Sequence, residues 1–184
     1  MKLFVSDFDD TLFRSAYPPD GWDRDRDGYW WELPESLGPP CVPKVPGMEW
    51  WNQQVVKRAT QLIRDPEWFC CCLTGRRTHQ ANFSQRIPWL LEQKGLLFDL
   101  VRLCPADGSD QGATGPWKLS VIQRLARRFD ADEIEIWDDR ADHLADWEAA
   151  LLDYNVNTVH VQEPHRQCRG FRFRGRQYIE VNDD

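Results

Sequence analysis

Three aspartates, Asp7, Asp9 and Asp10, fall within four positions at the end of the apolar run LFVS. Two more, Asp138 and Asp139, close the run IEIW, and Thr74-Gly75-Arg76-Arg77 closes the run WFCCCL. Lys118 stands near the start of a segment with helical periodicity. Any one of these positions is explained by turn or cap chemistry, because Asp and Thr are favoured there. Caps have no need to gather on one edge of a fold, so the full set, in this order, points to a site. The residue types are those that move protons, hold a hard cation and neutralise an anionic group.

The elements that must position them alternate. Residues 3–6, 68–73, 97–103, 134–137 and 158–161 read as strands. Between them, apolar residues recur at helical spacing: Val55, Ala59, Leu62 and Ile63; Phe83, Ile87, Leu90 and Leu91; Leu119, Ile122, Leu125, Ala126 and Phe129; and a segment over 141–152. Pro88 kinks or restarts the second of these helices. Pro116 suits the first position of the third, after the polar loop PADGSDQGATG. Such alternation predicts an α/β fold: a three-layer, Rossmann-like arrangement around a five-stranded parallel sheet, with ligands at the carboxyl ends of the strands. Residues 14–48, rich in Pro, Gly, Asp and Trp, read as a small irregular insertion after the first strand, and FRFRGRQYIEV reads as a C-terminal β-hairpin. At 184 residues the chain is expected to be one domain, 1–184, with the insertion at 14–48 and a basic extension at 166–184.

A net charge of -7 excludes generic electrostatic capture of nucleic acid or anionic membrane; a polyanion would have to meet a local basic surface. No apolar stretch reaches the length of a membrane span. The six cysteines, three of them adjacent at 70–72, match neither a disulfide framework nor zinc-ligand spacing, which implies a reduced, cytoplasmic setting.

The phrases DFDDTLF, LTGRR, the lone Lys118 of TGPWK and IEIWDDR resemble, in order, the four signature motifs of the haloacid dehalogenase-like (HAD) phosphohydrolases. The wording around them (DFDDTLF, EWW, LTGR, LFD, DDRADH) is most similar to the HAD domain of Swiss Army knife RNA repair-like proteins. The resemblance implies a Mg2+-dependent phosphatase with an aspartyl-phosphate intermediate. Asp7 would be the nucleophile and Asp9 the general acid and base. Thr74, Gly75, Arg76, Lys118 and Arg140 would meet the substrate phosphate, with Arg77 as a further candidate. Asp7, Asp138, Asp139 and the backbone carbonyl of Asp9 would hold Mg2+. Asp10 is left as a turn residue, and His143 as either a loop-steadying group or a substrate contact. The implied substrate is a phosphorylated RNA or DNA end. Nucleotides or other small phosphate esters are the alternative, and a non-catalytic RNA- or protein-binding module is the alternative of another class.

Three weaker signals compete. DRDRDG at 23–28 opens like a calcium loop, but Pro34 occupies the required acidic position, so a solvated turn is favoured. The tail arginines Arg166, Arg169, Arg172, Arg174 and Arg176 suit either a hairpin's outer face or a phosphate track. The tryptophans of the insertion suit local core packing, with base stacking as a second use.

Overall fold

The computed structural model describes residues 1–105, 114–162, 166–168, 171–174 and 177–180. Five parallel strands form the central sheet: β1 (Lys2–Asp7), β3 (Trp68–Arg77), β4 (Leu100–Cys104), β5 (Glu133–Asp138) and β6 (Asn155–His160), in the order β4-β3-β1-β5-β6. The order puts β1 in the middle, paired to β3 and β5, so the ends carrying Asp7, Thr74 and Asp138 are neighbours.

Alternation along the strands makes the three layers. Phe4, Cys70 and Cys72 face a core built with Val55, Ala59 and Leu62 of α2 (Gln53–Ile63) and Phe83, Ile87 and Leu90 of α3 (Phe83–Gln93). Leu3, Val5, Cys71, Leu73, Ile134 and Ile136 face the opposite core, with Val121, Ile122 and Leu125 of α4 (Thr114–Phe129) and Leu144 and Trp147 of α5 (Ala141–Ala150). A sheet covered on both faces explains the near-continuous apolar strands. The adjacent cysteines are small buried packing groups, and burial pushes the Cys70 thiol up to about 12 and those of Cys71 and Cys72 upward as well. The helix at 83–93 passes through Pro88 unbroken, and α4 begins two residues before Pro116.

The insertion is irregular but not shapeless. It contains the two-residue strand β2 (Ala16–Tyr17), the short helix α1 (Arg24–Asp27) and 3-10 turns at Trp30–Glu32 and Pro34–Ser36. Asp23 caps α1, its Oδ1 accepting from the backbone of Asp25 and Arg26, while Asp27 pairs with Arg26. These carboxylates therefore serve a helical turn. Trp30 of the insertion joins the buried core, with Trp22 and Trp31 partly buried against it, and so do Trp50 and Trp51 just after the insertion.

One expectation is corrected. Cys41 and Cys168 form a disulfide across 127 residues of sequence, joining the insertion to the C-terminal segment. The same two segments pair as β2 with β7 (Arg166–Gln167), and Arg166 lies over the Trp50 ring at 4.3 Å. With this disulfide the cysteines no longer point to a reduced compartment. The tail forms an antiparallel hairpin, β8 (Phe171–Arg174) with β9 (Gln177–Glu180). Arg169, Arg176 and most of the loop before α4 lie outside the described residues. Among the described residues, no helix is long and apolar enough to cross a membrane.

Candidate active site

The segment after β1 separates charge from apolar bulk. Phe8, Leu12 and Phe13 are fully buried, with the Phe8 and Phe13 rings stacked at 5.3 Å, and the amides of Leu12 and Phe13 both donate to the Phe8 carbonyl. Asp10 takes a left-handed backbone (φ 55°), which L-residues other than Gly, Asn and Asp rarely adopt. This tight reversal anchors the aromatics in the core and leaves Asp7, Asp9 and Asp10 lining a cavity of about 290 Å³ at the carboxyl edge of the sheet.

Asp7 is 7% exposed, and oxygens of Asp7, Asp138 and Asp139 all lie within 4.8 Å of one another. Lys118, reaching in from α4 and 4% exposed, sits 2.8 Å from Asp7 Oδ1 and 2.9 Å from Asp138 Oδ2. Only the second contact has hydrogen-bond alignment; among the described residues no hydrogen-bond donor reaches the buried Asp7 Oδ1. Burial drives the Asp7 pKa well above the carboxylate range, Lys118 opposes this, and the charges of Asp138 and Asp139 add to it. Asp138 is also pushed up by burial, but Lys118, His143 and the Arg140 amide outweigh that and hold it down at about 2. The Asp139 pKa is raised, by burial and then by Asp138. Three carboxylates thus face one ammonium, with an unsatisfied buried oxygen among them. That donor set suits a hard, oxygen-seeking divalent cation.

Asp9 has a different environment. Arg76 binds it from Nε (3.1 and 3.2 Å) and Nη2 (2.7 Å), Ser15 Oγ donates to it at 2.6 Å, and Thr74 Oγ1 at 3.0 Å. Burial pushes the Asp9 carboxyl up, but the Arg76 charge and these hydrogen bonds win and hold it below its ordinary value. Thr74 is fully buried, and its hydroxyl also accepts the Arg76 amide at 3.1 Å.

The structure gives the adjacent Arg76 and Arg77 different surroundings. Arg76 is 4% exposed; beyond Asp9 it donates to the Trp31 carbonyl at 2.7 Å and to Ser36 Oγ, so all its charge is used within the protein. It lines the cavity and ties the insertion to the site, with its donors spent on protein acceptors. Arg77 lines the cavity, and its guanidinium makes no hydrogen bond or ion pair among the described residues. Arg140 also lines it, with its guanidinium on Asp142 at 2.5 Å. Gly75 packs against α4, where an added Cβ would come within 2.9 Å of Thr114 Cγ2. His143 is buried, 3.7 Å from Asp138 Oδ1 and stacked on Trp147, which makes it a neighbour of the acidic pair.

Other contributors had no spacing signal. Asp10 is more than a turn residue: 8% exposed, it accepts from the Tyr17 hydroxyl at 3.0 Å, and burial with the Asp9 charge raises its pKa to about 7. Tyr17, Tyr29 and Trp31 of the insertion line the cavity, and Ser15 reaches Asp9. Only the insertion's folding reveals them.

A solved structure described as "Structure of Pnkp1/Rnl/Hen1 complex" contains a chain that aligns with 88% of this one, at a TM-score of 0.50 and 14% identity. This chain spans 47% of that one, and at such identity the likeness is one of fold. The family model described as HAD domain family 1 in Swiss Army Knife RNA repair proteins matches residues 21–170, a segment that includes Thr74, Lys118 and Asp138 and begins after Asp7 and Asp9. With well over half of the chain matched, the protein belongs to the HAD domain family of Swiss Army Knife RNA repair proteins.

Proposed function

We propose that the protein is a phosphatase that removes a terminal phosphate monoester from a nucleic-acid strand through an aspartyl-phosphate on Asp7. The observation that carries this reading is the juxtaposition of the buried Asp7, Asp138 and Lys118 with the half-buried Asp139, beside the Arg76-held Asp9, at the carboxyl edge of the sheet. The strand-end substrate follows from the family's occurrence in RNA repair proteins.

In the first step an Asp7 carboxylate oxygen attacks phosphorus, the ester P–O bond breaks, and the departing oxygen takes a proton from Asp9. In the second, water attacks phosphorus, the bond to Asp7 breaks, and Asp9 takes the water's proton. Asp9 stands ready as a carboxylate, the form needed in the second step. A phosphate dianion arriving beside it raises its proton affinity, which gives it the proton for the first. Lys118 offsets charge on Asp7 and the phosphoryl group, and Arg77 is the cation available to the substrate's other oxygens. Asp7, Asp138 and Asp139 would hold Mg2+, which would supply the neutralisation that keeps Asp7 ionised against its burial.

The test is phosphate release, with and without Mg2+, from 3′- and 5′-phosphorylated RNA and DNA, nucleotides and sugar phosphates. Turnover of strand ends that needs Mg2+ and is lost in Asp7→Asn is expected. Absence of turnover on every substrate contradicts the proposal, as does activity restricted to sugar phosphates.

A further inference from the structure

The cavity has a wall that phosphoryl transfer does not use. Tyr29 lines it and leaves 47% of its surface exposed, although nothing in the chemistry of a phosphate requires an aromatic ring. The ring is not on a loose loop. Trp30, next in sequence, is 3% exposed, and its indole Nε1 donates to the Ala16 carbonyl at 2.6 Å; the Trp31 carbonyl is held by Arg76. The backbone beside Tyr29 is thus fixed by the residue that also holds Asp9.

The three aromatics of the wall differ in what is left of them. Tyr17 puts its hydroxyl on Asp10 and packs at right angles to Trp31, with centroids 5.1 Å apart. The Trp31 ring carries the Arg76 guanidinium at 5.1 Å. The Tyr29 ring carries Arg24 at 5.1 Å, and Arg24 is not among the residues that line the cavity, whereas Tyr29 is. An exposed ring on an anchored stretch of backbone, paired with a cation and lining a phosphate site, suits a stacking platform for a planar heterocycle. The cavity, about 290 Å³, lies at the small end of ligand sites and has room for one nucleotide unit, not several.

We infer that Tyr29 stacks on the base of the nucleoside that bears the scissile phosphate, so that the site recognises a nucleobase as well as a phosphate. This inference rests on the proposed phosphatase reading and deepens it. Stacking engages the face that every base possesses, so the grip is tolerant of base identity. It applies whether the base comes from a strand end or from a mononucleotide.

The experiment compares paired substrates: a short phosphorylated oligonucleotide and the same oligonucleotide with its terminal sugar abasic, plus the matching mononucleotide, with wild type, Tyr29→Ala and Tyr29→Phe. Wild type is expected to prefer the base-bearing member in kcat/KM, through KM. Tyr29→Ala lowers that preference about tenfold, within the range found for removing a stacked aromatic, and Tyr29→Phe keeps it. Equal losses on both members in Tyr29→Ala, or no preference in wild type, overturn the inference while leaving the phosphatase reading intact. If no substrate turns over, the phosphatase reading fails. Fluorescence-anisotropy binding of the labelled pair then decides the stacking question: equal affinity of wild type for both overturns it, and a preference lost in Tyr29→Ala supports it.

Discussion

Replacing Arg76 by methionine keeps a long side chain and removes the charge that organises the site. Its guanidinium is 3% exposed and lies 2.7 Å from an Asp9 carboxylate that is itself 20% exposed, so solvent screens the pair little. Removing one partner of such a pair leaves the other buried and uncompensated, a loss of about 3–5 kcal/mol. Against a typical total of about 5–15 kcal/mol, that is severe. The pH dependence follows from Asp9. Its folded pKa is depressed, so the pair's contribution is complete above the unfolded value near ~3.9 and disappears as pH falls through the folded one. In Arg76→Met the buried Asp9 has a raised pKa, so the variant loses stability as pH climbs above the carboxylate range. Urea unfolding followed by tryptophan fluorescence, from neutral pH to about pH 3, measures both curves, and the gap should be widest at neutrality. Adding Asp9→Asn to Arg76→Met should recover much of the loss. A deficit below about 1 kcal/mol, the level of an exposed ion pair, or one that does not change with pH, would refute the reasoning.

Lys118→Met removes the cation that contacts both Asp7 and Asp138, and phosphate release should drop about 10²–10³-fold, the scale for losing one preorganised electrostatic group; a drop under tenfold would assign the neutralisation elsewhere. Cys41→Ser opens the loop closed with Cys168 and should cost about 2–5 kcal/mol in urea unfolding. A reductant should destabilise wild type by a similar amount and leave the variant unaffected.

The strands that carry the site were legible because both faces of the sheet are covered, which makes their apolar runs nearly continuous. The edges were less so. The strand read at 97–103 is β4 at Leu100–Cys104, since Leu97 is 66% exposed and belongs to the approach. β6 begins at Asn155, three residues before its expected start, because an edge strand tolerates the exposed Asn155 and Asn157. Asp7, Thr74, Lys118 and Asp138, singled out near the ends of elements whose period is plain, are brought together at one edge of the sheet, although β3 runs on past Thr74 to Arg77 and Lys118 lies one turn into α4. The sequence ranks Arg76 ahead of Arg77 at the phosphate, yet adjacent residues leave a strand on opposite sides and nothing local says that the side of Arg76 is the buried one. The Cys41–Cys168 bond and the aromatic wall depend on how an aperiodic insertion packs against a segment over a hundred residues away, and neither leaves a periodic trace.

The central claim is that Asp7 carries the phosphoryl group. Rapid acid quench of the protein turning over a phosphorylated oligonucleotide, followed by peptide mass spectrometry, tests it directly. A phosphoryl adduct is expected on the peptide containing Asp7, and both the adduct and turnover should be absent in Asp7→Asn. Full turnover in Asp7→Asn, or an adduct on another residue, would contradict it.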